Sequence, residues 1–493
     1  MKNLFTVIDL FAGAGGFSQG FLLVKGIRKG VPAFKIIKAV ELDEVACKTL
    51  RVHLSKQDVP VDNVVLNGDL ENEDVKNKII KECPKADVII GGPPCQTFSL
   101  AGPARCGKIE LRQKLQNDSR NNLYKHYIEI VEKIKPGFVV FENVEGIISK
   151  KAVDEVTGEI RRVIDIIIKR LQAIGYNTTI KIEGVEKDYL ILNAADYGVP
   201  QFRKRVIIIA NRLGIPNPFP NPVCGSGTGK PYRTVACAIH DLPVVLPPIN
   251  TVRFEKIKNL ELVARHPSEY LYYFVKAVGN LAHLNREKPA EDKLIRLASV
   301  IKKSYRKVEN CRGNRLKALR DFVEEYNENL NGLDGKMYDQ DKFPALHISR
   351  PHNIRDVCIF ARMKPGTNSA QFMKEGSKNY DKFLSMIYPY SSENHKDTYV
   401  RQSWQLPSTT ILSHMNRDGL KFIHPEQPRT FTPCEAALLQ SFSFSSKFHG
   451  TRSDMYLQIG NAVPPLLAQA IAEAIYSALI SYYSRLDIRE QAN

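Results

Sequence analysis

The chain has 493 residues, enough for two or three domains with substantial cores. Its 70 Lys and Arg against 53 Asp and Glu give a net charge of +17 and favour a polyanionic partner such as nucleic acid. The nine cysteines form no CxxC pair, so neither a zinc site nor a disulfide framework is expected, and a reducing cytoplasmic setting fits. No charged, apolar leader opens the chain, and Leu466 to Tyr483, which holds Gln469 and Glu473 at helical spacing, reads as a helix packed on the protein and not as a membrane span.

In chain order, Leu4 to Leu10 is a short apolar strand that runs into FAGAGGF, Phe11 to Phe17, and a helix from about Ser18. Gly13, Gly15 and Gly16 allow a tight turn and close approach of a ligand, although the spacing is not the GxGxxG of dinucleotide folds. Ile36 to Val40 is a second strand ending in Glu41-Leu42-Asp43, where an acid could bond ribose hydroxyls and Leu42 could lie on an adenine. Val64 to Leu66 is a third, ending in Asn67-Gly68-Asp69-Leu70. Glycines and then acids at successive strand ends point to a nucleoside ligand, and the carboxylates disfavour a phosphate-rich one. Asp69 serves equally well as an acid near a helix N-terminus.

The stretch DVIIGGPPCQTFSLAG, Asp87 to Gly102, reads as a buried strand halted by Gly91-Gly92-Pro93-Pro94 immediately before Cys95. A thiol on so stiff a strand-end turn is better placed to attack a substrate than to fill a core. Gln96 to Asn122 lacks a clear period and carries several basic residues, as expected of a functional lid. Leu123 to Ile134 has helical spacing, and Phe138 to Phe141 forms a fourth strand ending in Glu142-Asn143-Val144, which puts a carboxylate near the thiol. In NAADYGVPQFRKRVIIIA, Asn193 to Ala210, the alternation lets Gln201, Arg203 and Arg205 point the same way ahead of the strand Val206 to Ile209.

These segments resemble the DNA cytosine methyltransferases that act on ring carbon 5 with S-adenosylmethionine. The resemblance rests on DLFAGAGGF (Asp9 to Phe17), ELD (Glu41 to Asp43), GGPPCQTFS (Gly91 to Ser99), FENVEGI (Phe141 to Ile147), QFRKR (Gln201 to Arg205), RTFTPCEAALLQSF (Arg429 to Phe442) and QIGNAVPP (Gln458 to Pro465), in the family's order. It implies an α/β, Rossmann-like class I methyltransferase domain with a mostly parallel sheet at 1–242, completed by 426–493, and a large inserted target-recognition domain at 243–425. It implies that the Cys95 thiolate adds to carbon 6 of a flipped-out cytosine, that Glu142 holds ring nitrogen 3 and the amino group, and that Arg203 and Arg205 support the site, one of them bonding the carbon 2 oxygen. For the cofactor it implies Phe11, Gly13, Ala14, Gly16, Glu41, Leu42, Asp69, Leu70, Pro94, Leu123, Asn461 and Val463.

The implied substrate is double-stranded DNA, met by a cytoplasmic, nucleoid-associated monomer without metal or membrane, as the modification half of a restriction system with a cognate endonuclease. The rival readings are a tRNA cytosine-5 methyltransferase and a non-catalytic DNA-binding regulator on the same scaffold. Ile301 to Arg320, with eight Lys or Arg against one Glu, could follow a DNA backbone or be a solvated helix face. Leu346 to Thr367 mixes His, Arg and Asn suited to base edges or phosphates. Thr432-Pro433-Cys434-Glu435 reads as the capped start of a helix, with Cys434 a structural residue.

Overall fold

The structure, a computed structural model, describes residues 2–27, 31–55, 61–94, 122–252, 254–283, 288–333, 346–390 and 398–492. Cys95 and the lid segment expected behind it lie outside the described residues. The strands are β1 (Phe5–Leu10), β2 (Phe34–Glu41), β3 (Val65–Asn67), β4 (Val88–Gly91), β5 (Phe138–Asn143), β6 (Lys151–Val153), β7 (Ile160–Arg162), β8 (Ile180–Ile182), β9 (Val185–Lys187), β10 (Leu190–Asn193) and β11 (Lys204–Asn211), and Val, Ile and Phe dominate β1, β4, β5 and β11. β6 pairs with β7 and β8 with β9 in small hairpins. Among the described residues the other seven form one sheet in the order β10-β11-β5-β4-β1-β2-β3. β11 runs antiparallel to both its neighbours, and the other pairings are parallel.

The strand order changes direction at β1, which lies between β2 and β4, so the carboxyl ends of β1 and β4 flank the crevice where such sheets take ligands. Alternation along the strands divides the core in two. Val7, Val88, Ile90, Val140 and Ile207 face a layer that contains Phe17, Phe21, Leu467, Ile471 and Ile475. Ile8, Ile89, Val139, Phe141 and Ile208 face the opposite layer, built from Ile128, Val131, Ile164 and Ile167. The C-terminal helix Pro465–Ala492 therefore closes one face of a sheet built by the first half of the chain. The apolarity of Leu466 to Tyr483 serves this packing: Leu467, Ala468, Ile471, Ala472, Ile475 and Leu479 are all buried.

The chain between Val244 and Ile423 forms a separate apolar core, assembled mainly by helices that include Leu271–Ala282, Lys288–Glu309, Arg315–Asn331 and Ile354–Arg362. One expectation for this region fails. His347, His352 and Arg355, expected at base edges or phosphates, are buried. His347 lies 2.9 Å by Nε2 from the Pro243 carbonyl and 3.1 Å by Nδ1 from Thr432 Oγ1, His352 lies 3.3 Å from the Thr430 amide, and Arg355 pairs with Asp356 at 2.7 Å. The cause is the neighbouring apolar run Ile354, Val357, Ile359 and Phe360, whose burial carries the polar side chains inside, where protein groups must satisfy them.

Where the chain beside this core meets the helix Pro433–Leu439, Arg429 donates by Nε to the Val245 carbonyl and forms a fully buried bidentate pair with Glu435, with both N–O distances 2.7 Å. Thr432 caps the helix Pro433–Leu439, and Glu435 returns the bond to the Thr432 amide, as the TPCE spacing predicts. Burial alone would raise the Glu435 carboxyl, but the Arg429 charge and its hydrogen bonds bring it down to about 2. A depressed carboxyl contributes stability above its unfolded value of about 4.3 and loses it as pH falls toward 2. Glu435→Gln leaves the Arg429 guanidinium buried without its counter-charge and is expected to cost about 3–5 kcal/mol in urea unfolding at pH 7. Its penalty is expected to shrink in acid, and a loss below about 1 kcal/mol would show that the joint does not depend on the pair.

Candidate active site

Gly91 and Gly92 carry β4 out of the sheet toward Cys95, and this passage is held tightly. A Cβ on Gly92 would lie 2.7 Å from Glu142 Oε2, so only glycine lets the backbone run this close to the carboxylate. Asn143 Nδ2 donates to the Pro93 carbonyl at 3.2 Å and fixes the turn from the other side. Gly92 and Pro93 thus lie beside the acid and the amide at the end of β5. Glu142 is buried, and its Oε1 lies 2.8 Å from Nε of Arg205, itself buried at the start of β11. Burial pushes the Glu142 carboxyl up against the opposing pull of Arg205 and Arg203. A buried acid with a raised pKa can carry a proton and donate it to a ring nitrogen, and the fixed guanidinium beside it can meet a negative oxygen.

Arg203 is held differently from Arg205. It is fully buried; Nη1 donates to the Ile411 carbonyl at 2.9 Å, and Nη2 donates to those of Gly460 at 2.7 Å and Ala462 at 3.1 Å. Burial first, and the neighbouring Arg205 second, push its pKa well below the usual arginine range. Its two terminal nitrogens are thus taken up by backbone carbonyls. Gln201 faces the same way, donating to Gln440 Oε1 at 2.5 Å, and Gln440 in turn donates to the carbonyls of Ile459 and Ala462, each at 3.0 Å. At Gly460 a Cβ would sit 2.3 Å from the Ser413 amide nitrogen, so the last part of the insert presses directly on this segment.

At the end of β1 the backbone turns through Phe11 at φ 60° and Gly13 at φ 53°. The Gly13 amide donates to Glu41 Oε2 at 2.8 Å, and the Asp43 amide to Oε1 at 2.9 Å, which orients the carboxylate at the end of β2. A Cβ on Gly13 would meet nothing within 4 Å, so the turn borders open space. Leu42 is 64% exposed beside it. Asn67 at the end of β3 donates to the carbonyls of Glu41 and Leu42 at 3.1 and 2.8 Å. Asp69 accepts from the Glu71 amide at 2.9 Å, and Leu70 is buried beneath it.

The QIGNAVPP segment comes back to this turn. A Cβ on Gly16 would meet the Val463 carbonyl oxygen at 2.2 Å, so Gly16 and Val463 are in direct contact. Ala14, Leu123 and Val463 are buried, whereas Pro94 and Asn461 are exposed. The structure thus joins Gly13 to Glu41 and Gly16 to Val463 at one end of the sheet, and Gly92 to Glu142 and Arg205 at the neighbouring strand ends. Cys434 is buried, and burial pushes its thiol up to about 12, which leaves it chemically quiet. Sequence reasoning missed Asn143 as the brace for Pro93, although its place next to Glu142 was available as a signal. It also missed the close approach at Gly460, for which no local pattern exists.

The C-5 cytosine-specific DNA methylase family model matches residues 5–477. Type II methyltransferase M.AgeI of Thalassovita gelatinovora is 30% identical over 96% of this chain and 99% of its own length. Type II methyltransferase M.DdeI of Desulfomicrobium norvegicum is 29% identical over 95% of this chain and 88% of its own. The crystal structure of a protein described as a DNA modification methyltransferase encoded within an E. coli prophage covers 96% of this chain at a TM-score of 0.53 and 21% identity, a likeness of fold. Since the family match runs from the first sheet strand into the C-terminal helix, through both halves of the site, the chain belongs to the C-5 cytosine-specific DNA methylase family and is a DNA cytosine methyltransferase.

Proposed function

We propose that the protein methylates carbon 5 of a specific cytosine in double-stranded DNA through a covalent Cys95 adduct, with S-adenosylmethionine as methyl donor. The observation that carries this reading is the buried Glu142–Arg205 pair, pressed against Gly92 at the strand end that leads into Cys95. The strand ends of β1 and β2 suit the donor: open space at Gly13, an oriented Glu41 carboxylate for a ribose diol, and the exposed Leu42 for an adenine. Phe11, Ala14, Gly16, Asp69, Leu70, Pro94, Leu123, Asn461 and Val463 complete the assignment. When bound, S-adenosylmethionine supplies an electrophilic methyl group on a sulfonium.

The chain's own groups do the rest. Carbon 5 of cytosine is a poor nucleophile, so the Cys95 thiolate forms a bond to carbon 6 and shifts electron density onto carbon 5. Protonated Glu142 donates to ring nitrogen 3 and stabilises the adduct, and Arg205 bonds the carbon 2 oxygen as negative charge collects there. Once carbon 5 carries the methyl group, loss of its proton restores the ring double bond and expels the thiolate. The target must leave the duplex for carbon 6 to be reached, which calls for base flipping and for a cover such as the segment after Cys95. Glu142, Arg205 and the Pro-Pro-Cys turn together disfavour a non-catalytic regulator. The basic insert with its own core favours duplex DNA over tRNA. The type II relatives favour the modification half of a restriction system, acting as a monomer with a cognate endonuclease as functional partner.

Conversion-based sequencing of DNA from cells expressing the protein is expected to show one methylated cytosine context, absent with Cys95→Ser. Methylation at the wild-type level in that variant would overturn the mechanism. Glu142→Gln should lower kcat by about 10²- to 10⁴-fold, the usual worth of a positioned proton donor. Because the raised Glu142 acts as an acid, wild-type kcat should fall as pH rises through its elevated pKa, and the Gln variant should lose that limb; an identical profile in both would exclude Glu142 as the proton donor. Glu41→Ala should weaken S-adenosylmethionine binding by about 10- to 100-fold in calorimetry, the worth of one or two hydrogen bonds to a charged group. Unchanged affinity would remove the ribose assignment.

A further inference from the structure

Helices Lys288–Glu309 and Arg315–Asn331 form an antiparallel hairpin on the insert, and its closing end carries eight Lys or Arg against one Glu between Ile301 and Arg320. Three of the eight are occupied within the fold. Lys307 pairs with Glu325, Arg320 with Glu255, and Arg315 donates to the carbonyls of Arg265 and Cys311. The one acid, Glu309, accepts from the Tyr305 hydroxyl at 2.6 Å. Lys302, Lys303, Arg306, Arg312 and Lys317 remain exposed, and among the described residues none of the five has an acidic partner. The apolar stripe Leu294, Leu297, Ile301, Tyr305 and Val308 is buried, so these cations occupy the outward surface.

Helix stability does not explain the whole cluster. Arg306 and Lys307 suit the C-terminal end of their helix, but Arg315 and Lys317 lie at the positive end of the next one, whose first turn holds no acid and which Asn314 already caps. Cations there oppose the helix dipole and one another, a cost that a bound polyanion would offset. Resting on the methyltransferase reading above, we propose that this hairpin end is a second DNA contact, which binds phosphates flanking the methylated sequence and lengthens the footprint without reading bases.

The test compares the wild-type protein with Lys302→Gln/Lys303→Gln/Arg306→Gln/Lys317→Gln on two duplexes centred on the methylated sequence, one of about 12 base pairs and one of about 40. On the long duplex the variant should bind at least about tenfold more weakly at low salt, with the slope of log affinity against log salt smaller by about 2 to 4, near 0.9 for each phosphate left unneutralised. On the short duplex both proteins should bind equally, and S-adenosylmethionine affinity and thermal midpoint should match. Equal binding and slope on the long duplex would overturn the proposal. An equal loss on both would place the patch within the recognised sequence and overturn the flanking assignment. If the fourfold variant loses S-adenosylmethionine binding through misfolding, Arg312→Gln/Lys317→Gln at the turn repeats the comparison with a slope change of about 1 to 2. Wild-type protein that neither binds nor methylates either duplex would instead refute the underlying reading.

Discussion

One guanidinium holds three distant parts of this chain together. Arg203 stands just before β11, yet its Nη1 and Nη2 bond the carbonyls of Ile411, in the last part of the insert, and of Gly460 and Ala462 in the C-terminal segment. Carbonyl oxygens cannot release a proton or move away from a buried cation without leaving it uncompensated, so the three segments are bound to one geometry. Gln201 and Gln440 extend the network to the helix Pro433–Leu439. The sheet, the insert and the C-terminal segment therefore share a polar joint two residues from Arg205, which pairs with Glu142.

Close backbone approach does the corresponding work at the strand ends. Gly92 permits the chain to graze Glu142, Gly16 permits contact with Val463, and Gly460 permits contact with Ser413. At each position a side chain would force apart two segments whose separation sets the site. The acid gains its character from the same crowding: burial raises Glu142, and the charge of Arg205 opposes that rise. Arg429 and Glu435 show the opposite balance. Two short charge-assisted bonds outweigh burial and keep that acid ionised, which suits a joint and not a catalyst.

Much of the catalytic domain was legible in sequence because its signals are local. Apolar runs marked β1 to β5 to within a few residues, and Thr432 with Glu435 announced a capped helix that the structure contains. Glu142 and Arg205 were each found by their place at a strand end. The separation of Arg203 from Arg205 was not legible, since both point the same way and only partners more than 200 residues distant distinguish them. The insert misled for a related reason. His347, His352 and Arg355 have the composition of a recognition segment, but tertiary burial of the adjoining Ile354 to Phe360 run decides their position. β10, four residues at the sheet edge, gave too little pattern to stand out from a loop.

The central claim, covalent attack by Cys95 on carbon 6, is tested most directly with duplex DNA in which 5-fluorocytosine replaces cytosine, incubated with the protein and S-adenosylmethionine. Fluorine cannot leave carbon 5 as a proton does, so the thiolate cannot be expelled after methyl transfer. The account predicts a protein–DNA species that survives denaturation, maps by mass spectrometry to the peptide containing Cys95, and is absent with Cys95→Ser. No covalent species, or one attached at another residue such as Cys434, would contradict it.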